Sequence, residues 1–340
     1  MAESLRIAVN ESSQTAEARR TARAAARRAG MDEKLEEQVA IVVTEACTNL
    51  LKHASGGELL INSASSERPG ALPAFEVLAL DQGPGMADLE KCLRDGYSTG
   101  GSPGQGLGAI RRLSTLCDIY SIAGRGTALL ARWPEAASQA AKTHPGPSLS
   151  VGAVNVSKPG QEVCGDSWGM ACGDSVCTLL VADGLGHGPE ANRASAQAVR
   201  ILRDNPGIPP VTILERVHLA LRSTRGAAVA VAQIDPRRAT LAFAGVGNIA
   251  AQIYRNGFPS QHLVSSNGTA GMQIPKVREF AYPWPPDGIL VLNSDGLSTS
   301  AGIDKQHGLA MRDPTLIAGV LYRDFSRHSD DATVVVVKAA

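Results

Sequence analysis

VCTLLVADGLGHGPEANRASAQAVRILRD, residues 176–204, changes element type around a single acidic residue. Val176 to Asp183 is an apolar run of strand length, and the glycines at 184, 186 and 188 interrupt it. From residue 189 to 204 the spacing of apolar positions is helical. Asp183 is thereby placed at a strand end, ahead of a glycine turn and a helix. Asp-Gly alone usually marks a turn. Here the placement recurs: GDSW supplies Asp166, LNSDG supplies Asp295, and HSDDAT supplies Asp330 and Asp331. Carboxylate oxygens suit Mg²⁺ or Mn²⁺, and a glycine carbonyl such as that of Gly184 can add a ligand. Two such ions sharing a water would direct it at phosphorus, with no covalent phosphoenzyme. No HCx₅R-like phosphate loop is present, so Cys164, Cys172 and Cys177 are not read as nucleophiles. Ser167 and His187 read as loop residues near the acidic set, with a proton donor as the alternative for His187.

Outward from this stretch, VGAVNV, AAVAVAQID, ATLAFAGV, AAQIYR, GILVLNSD and ATVVVVK read as strands, and residues 189–204 and 211–224 as consecutive helices. The second half should therefore be sheets flanked by helical pairs. PEAASQAAKTHPGPSLS, residues 134–150, lacks the periodicity of a packed element and separates this half from the first. The expected division is residues 1–133, a linker at 134–147, and residues 148–340. A chain of 340 residues exceeds what one core usually organises, in agreement with two domains. In the first half, residues 13–29 and 32–53 read as helices, and ELLINSA, AFEVLAL, CDIYSI and ALLARW as strands. That is an α/β sandwich rather than an alternating parallel fold.

Thirty-three basic and thirty-three acidic residues give a formal net charge of zero, so no global field points to nucleic acid or an acidic membrane surface. Arg19, Arg20, Arg23, Arg27 and Arg28 crowd one helix, but Ala18, Ala22, Ala25 and Ala29 keep an apolar stripe on it; the arginines read as a solvated face, with protein docking as the alternative. The six cysteines form no CxxC pair, and neither a signal peptide nor a run of about 18 apolar residues is visible. A reducing cytoplasm is the expected address, with the cysteines as small buried hydrophobes rather than Cys172, Cys177 and His187 as a zinc site.

Three features of the first half suit a nucleotide. Glu45 and Asn49, in VVTEACTNLLKHA, project from one helix face. Asn offers a neutral oxygen to Mg²⁺, and Glu can accept a proton from an attacking hydroxyl. DQGPG follows the strand AFEVLAL with Asp81, Gly83 and Gly85: a carboxylate for an adenine amino group and glycines that let backbone pass close to the base. STGGSPGQGLGAIRRLS places Gly104, Gly106 and Gly108 before a helix, where amides and a helix N-terminus suit phosphates. The Walker A pattern is absent.

The order ExxxN, DxGxG, GxGxG and then GRGT at 124–127 resembles the ATP-binding (Bergerat-type) fold shared by gyrase, histidine kinases and MutL, over residues 5–133. RDGYSTG followed by QGLGAIRRLS is most like the small serine kinases that act on anti-sigma and stressosome switch proteins. This resemblance implies Asn49 on the Mg²⁺ of ATP, Glu45 as general base, Asp81 on adenine supported by Thr127, and Gly83, Gly85, Gly104, Gly106 and Gly108 bordering the nucleotide. The set GDS, ADGLGHG, SDG and SDDAT is similar to the PPM-type phosphatases, and most to their bacterial SpoIIE-like branch, over residues 148–340. It implies an α-β-β-α sandwich and two Mn²⁺ or Mg²⁺ ions bridged by Asp183, with Asp166 and the Gly184 carbonyl on one ion and Asp295 and Asp330 on the other. The eukaryotic members' upstream phosphate-binding Arg has no counterpart before Asp166, with Lys158 as a possible substitute or a solvated loop lysine. Together the resemblances imply a bifunctional signalling enzyme acting on a STAS-type anti-anti-sigma or stressosome partner. The alternative is a phosphatase gated by ATP binding to a non-catalytic first domain.

Overall fold

In the computed structural model, residues 3–63, 74–92, 106–134, 149–274 and 276–339 are described, apart from the side chains of residues 90 and 91. The chain separates into two compact units. Of the expected linker only Pro134 is among the described residues, and it ends a strand.

The first unit runs β1 (Leu5–Val9), α1 (Ser12–Arg28), α2 (Glu33–Ala54), β2 (Gly57–Ser63), β3 (Ala74–Leu80), α3 (Leu89–Cys92), α4 (Gly106–Leu113), β4 (Leu116–Ile122) and β5 (Gly126–Pro134). Its sheet is antiparallel throughout, in the order β1-β2-β3-β5-β4. Gln14 starts α1 by accepting hydrogen bonds from the backbone N–H groups of Asn10 and Glu11, and Asp32 starts α2 by accepting from Leu35 N–H at 2.8 Å. Ala18, Ala22, Ala25 and Ala26 bury the small-residue side of α1 in a core that includes Val39, Val43 and Cys47 of α2 and Leu59, Phe75 and Val77 of the sheet. Short side chains let the two helices approach closely. The arginine-rich face of α1 is partly a clamp: Arg27 donates to both oxygens of buried Glu36, and Arg23 reaches Glu36 and Glu37. The hydrogen bond from Arg27 is the main reason Glu36 is held below its ordinary pKa. Strand β1 was not expected; as an edge strand with three exposed residues, it gives little alternating signal.

The second unit runs β6 (Leu149–Val156), β7 (Asp166–Cys172), β8 (Cys177–Gly184), α5 (Pro189–Arg203), α6 (Pro210–Ala220), β9 (Ala227–Asp235), β10 (Thr240–Val246), β11 (Ala250–Tyr254), β12 (Gln261–His262), β13 (Phe280–Pro283), β14 (Ile289–Asn293), α7 (Pro314–Phe325) and β15 (Ala332–Ala339). Two five-stranded sheets, β13-β10-β9-β8-β7 and β12-β11-β14-β15-β6, stack face to face. Trp168, Leu179, Val181 and Phe243 of the first meet Leu290, Leu292, Val335 and Val337 of the second. Helices α5 and α6 cover the first sheet's other face, where Leu180, Ala182, Val229 and Val231 pack with Ala194, Ala198, Leu214 and Val217. The continuous apolar run of β8 follows, because both its faces are covered.

The expected α-β-β-α layering is present, but the helical layers are unequal. The second sheet is covered by α7, which packs on β6 and β15 and was not recognised in the sequence. Every residue from Pro314 to Arg323 is buried, so the helix has no polar stripe to reveal its period. The cysteines also depart from expectation. Cys172 and Cys177 stand directly opposite each other on β7 and β8, with Cα atoms 4.1 Å apart, and are disulfide-linked. Antiparallel register makes them neighbours, which spacing alone does not show. His187 lies in the exposed turn at the other end of β8.

Helix α7 reaches the sheet through Gly152 of β6, where an added methyl would collide with the backbone of Pro314 and Thr315. Gly152→Ala should therefore lower unfolding free energy by about 1–3 kcal/mol, as overpacking does. Urea denaturation of the variant measures this, and an unchanged midpoint would show that α7 does not seat there.

Candidate functional site

The acidic residues come from both sheets and meet at one edge of the sandwich. The β7–β8 register sets Asp166 opposite Asp183, and the β8–β9 register sets Gly184 opposite Ala227. Asp295 follows β14 by two residues, and Asp330 and Asp331 precede β15. Two hydrogen bonds lock these ends together: Ser294 N–H donates to the Thr333 carbonyl at 3.1 Å, and Thr333 N–H to Ser294 Oγ at 3.0 Å. Asn155 of β6 joins the sheets, donating to the Asp166 carbonyl and to Thr333 Oγ1.

Burial pushes Asp183 up to about 9, and the charges of Asp166, Asp295, Asp330 and Asp331 push in the same direction. Asp166 is raised to about 7, again chiefly by burial, against hydrogen bonds from Ser294 and Thr333. Asp295 is raised by burial and by Asp330, while Arg327 and a 2.7 Å hydrogen bond from Asn248 Nδ2 favour its anion. Asn248 escaped the sequence reading; a polar residue after Val246-Gly247, between two apolar strands, is the signal that could have found it. Asp331 plays a different part from Asp330. It is buried, and its Oδ1 accepts the Lys158 backbone N–H at 2.8 Å, tying down the loop before β7. Ser167 is buried too, hydrogen-bonded to Ser195 of α5 at 2.8 Å, so it fastens a helix to the sheet.

A divalent cation fits this set. Asp166 Oδ2 is buried without a hydrogen-bond partner. Several carboxylates so close raise one another's pKa, and a cation would relieve that repulsion. Among the described residues no group of three or more His, Cys, Asp or Glu side chains is arranged so as to hold a metal ion by itself. Mg²⁺ does not require one, since it retains several waters and uses one or two carboxylates. Gly184 has a steric reason to be glycine: a methyl there would strike the backbone of Ala191 in α5.

In the first unit, Asp81 follows β3 and its Oδ1 accepts from Gly83 N–H at 2.8 Å and Thr127 N–H at 3.1 Å. Asp81 N–H donates to the Thr127 carbonyl, and Thr127 Oγ1 lies 2.9 Å from Ser121 Oγ. One carboxylate thus joins the DQGPG turn to β5. Gly85, at φ +65°, leaves no room for a methyl against the Ile122 carbonyl, and a methyl on Gly83 would come within 2.6 Å of Ala54 Cβ in α2. The same helix carries Glu45 and Asn49. A methyl on Gly106, at the start of α4, would lie 2.9 Å from Glu45 Oε2 and 3.6 Å from Asn49 Oδ1. Asn49 Nδ2 is buried without a partner. Gly108 is buried in α4, and Gly104 lies outside the described residues.

Comparison with known proteins matches each half separately. Residues 8–133 match the histidine kinase-like ATPase domain, and residues 173–340 match stage II sporulation protein E, SpoIIE. The serine/threonine-protein kinase RsbT of Bacillus subtilis (strain 168) is 31% identical over 117 residues, which make up 34% of this chain and 86% of RsbT. The phosphoserine phosphatase RsbX of the same organism is 28% identical over 144 residues, 42% of this chain and 72% of RsbX. A solved structure of the bacterial stressosome, described as a modular system adapted to control secondary messenger signaling, is 27% identical with a TM-score of 0.53, covering 56% of this chain and 99% of its own. The crystal structure of RsbX in complex with magnesium shares the fold at 21% identity and a TM-score of 0.52, covering 58% of this chain and 98% of its own.

Proposed function

We propose that this chain, which belongs to the RsbT-like histidine kinase-like ATPases through its first domain and to the SpoIIE PPM-type phosphatases through its second, sets the phosphorylation of one regulatory protein from both directions. The observation that carries this reading is that each compact unit gathers its own chemically suited residues: five aspartates at one sandwich edge in the second, and in the first Glu45, Asn49 and Gly106 together, with Asp81 and Thr127 joined in the same unit. The partner proposed is a STAS-type anti-anti-sigma or stressosome protein, by analogy with RsbT and RsbX. No nucleic acid or membrane partner is proposed. The address proposed is the cytoplasm; no described helix is long and apolar enough to cross a membrane.

In the second domain Asp183 would bridge two Mg²⁺ or Mn²⁺ ions, with Asp166 and the Gly184 carbonyl holding one and Asp295 and Asp330 the other. When bound, such ions supply Lewis acidity toward a phosphoryl group and lower the pKa of a water. The chain's own work is to orient the carboxylates. Arg327 and Asn248 oppose the upward shift that burial and Asp330 impose on Asp295, and Ser294 and Thr333 oppose the one that burial imposes on Asp166. In the first domain Asn49 would offer its amide oxygen to the Mg²⁺ of ATP and Glu45 would take the proton of the attacking serine hydroxyl. Asp81 would accept from adenine, fixed by Thr127, while Gly83 and Gly85 let the base approach and Gly104, Gly106 and Gly108 border the phosphates.

Incubating the full chain with ATP, Mg²⁺ or Mn²⁺ and candidate STAS proteins tests this reading. A shared substrate should reach a steady phosphorylated fraction while ATP hydrolysis continues. If a protein phosphorylated by the first domain is never dephosphorylated by the second, the shared-substrate reading is lost. ATP that alters phosphatase rate without any phosphate gain would make the first domain a sensor instead.

A further inference from the structure

We infer that Arg225 is a substrate-phosphate-binding residue of the second domain, its guanidinium lying against the glycine turn that follows Asp183 and Gly184. The inference rests on the phosphatase reading of that domain. Arg225 Nη1 stands 3.2 Å from the position a Cβ would take on Gly186, two residues beyond Gly184. The backbone beneath it is tied to the same turn: Leu185 N–H donates to the Gly226 carbonyl at 3.0 Å, and Ala227 is the register partner of Gly184. Thr224 Oγ1 accepts from Gly226 N–H at 3.0 Å and donates to the Leu221 carbonyl at 2.7 Å. Gly226, at φ +83°, completes the bend, and Ala227 and Ala270 exchange two backbone hydrogen bonds behind it. The arginine is therefore presented from a backbone fixed on three sides.

Its side chain is exposed and makes no hydrogen bond or ion pair among the described residues. Other arginines are occupied differently: Arg23 and Arg27 hold Glu36, Arg132 holds Glu76, and Arg327 acts on Asp295. A phosphomonoester dianion approaching five aspartates meets repulsion that the rim of the site must offset. An unpaired guanidinium beside the turn suits that role, because its planar fork matches two phosphoryl oxygens at once. Lysine would bring the charge without the fork.

The test titrates inorganic phosphate into the full chain in the presence of Mg²⁺, by calorimetry, for wild type, Arg225→Ala, Arg225→Lys and Arg222→Ala. Arg222 is exposed three residues upstream and controls for the loss of one positive charge. Arg225→Ala should weaken phosphate binding about 10-fold or more, with partial recovery in Arg225→Lys and no change in Arg222→Ala. KM for a phosphoserine peptide should rise more than kcat falls. Phosphate binding that is absent in the wild type, or equal in folded Arg225→Ala, overturns the inference. Should the wild type hydrolyse no phosphoserine peptide yet bind phosphate through Arg225, the phosphatase reading fails and Arg225 is left as a phosphate-binding residue without a substrate role. Normal hydrolysis with Arg225-independent phosphate binding does the reverse, sparing the phosphatase reading and removing the role of Arg225.

Discussion

Asp183→Asn is expected to abolish Mg²⁺- or Mn²⁺-dependent hydrolysis of a phosphoserine substrate, by about 10³-fold or more, while ATP binding to the first domain persists. Asp183 sits in register with Asp166 and feels every other carboxylate of the set, so it is the residue best placed to serve two ions. The same position makes it costly in the metal-free protein. Its folded pKa is raised to about 9, so the folded state holds the proton more tightly than the unfolded state does. Stability is then fullest below the unfolded value of about 4 and declines as pH rises toward 9. Asp166, raised to about 7, adds to the decline in the lower part of that window. Thermal melts of the metal-free wild type should thus show Tm falling with pH, and a divalent cation should reverse the fall. Asn has no such proton to lose, so the variant should give a flatter profile and remain folded. Near-normal turnover of Asp183→Asn at saturating metal would falsify the two-ion assignment; a metal-free pH profile identical to wild type would remove the burial argument.

Glu45→Ala should leave ATP binding near normal and reduce phosphoryl transfer by about 10²- to 10⁴-fold, the usual range for loss of a general base. Asn49→Ala should instead weaken Mg²⁺-dependent ATP binding. The two residues lie on one face of α2, against the start of α4, yet differ in what they can do. A carboxylate can take a proton; a neutral amide oxygen can only coordinate or accept a hydrogen bond. Nucleotide affinity with and without Mg²⁺, together with phosphate transfer to a STAS protein, separates the roles. Undiminished transfer by the Glu45 variant would remove Glu45 as the general base, whereas a wild type that binds ATP and transfers no phosphate would assign the first domain to ATP sensing.

Much of this architecture was legible in one dimension because it depends on neighbours in the chain. Apolar runs ending in Asp-Gly mark strands that stop at a common edge, and the spacing of alanines in α1 marks its buried face. The four-residue interval between Glu45 and Asn49 places them together on any α-helix. That Asp81 and Thr127 belong together came instead from the family resemblance that the ordered motifs carry, which did not show that the Asp81 side chain accepts the Thr127 N–H.

What only the tertiary structure decided are relations between residues far apart in the chain or opposed across strands. Asp330 and Asp331 are adjacent and chemically identical, and packing alone turns Asp331 toward the Lys158 backbone, 173 residues away in sequence. Asn248 holds Asp295 across 47 residues, and Arg225 reaches the Gly186 turn only because β9 pairs with β8. Helix α7 could not announce itself, since burial on all sides erases the polar face that defines a period. Local patterning thus determined which residue types stand at element ends and which faces are apolar. Sheet register and layer packing decided which of those ends meet, because a carboxylate's charge and a guanidinium's freedom are set by three-dimensional neighbours rather than by sequence.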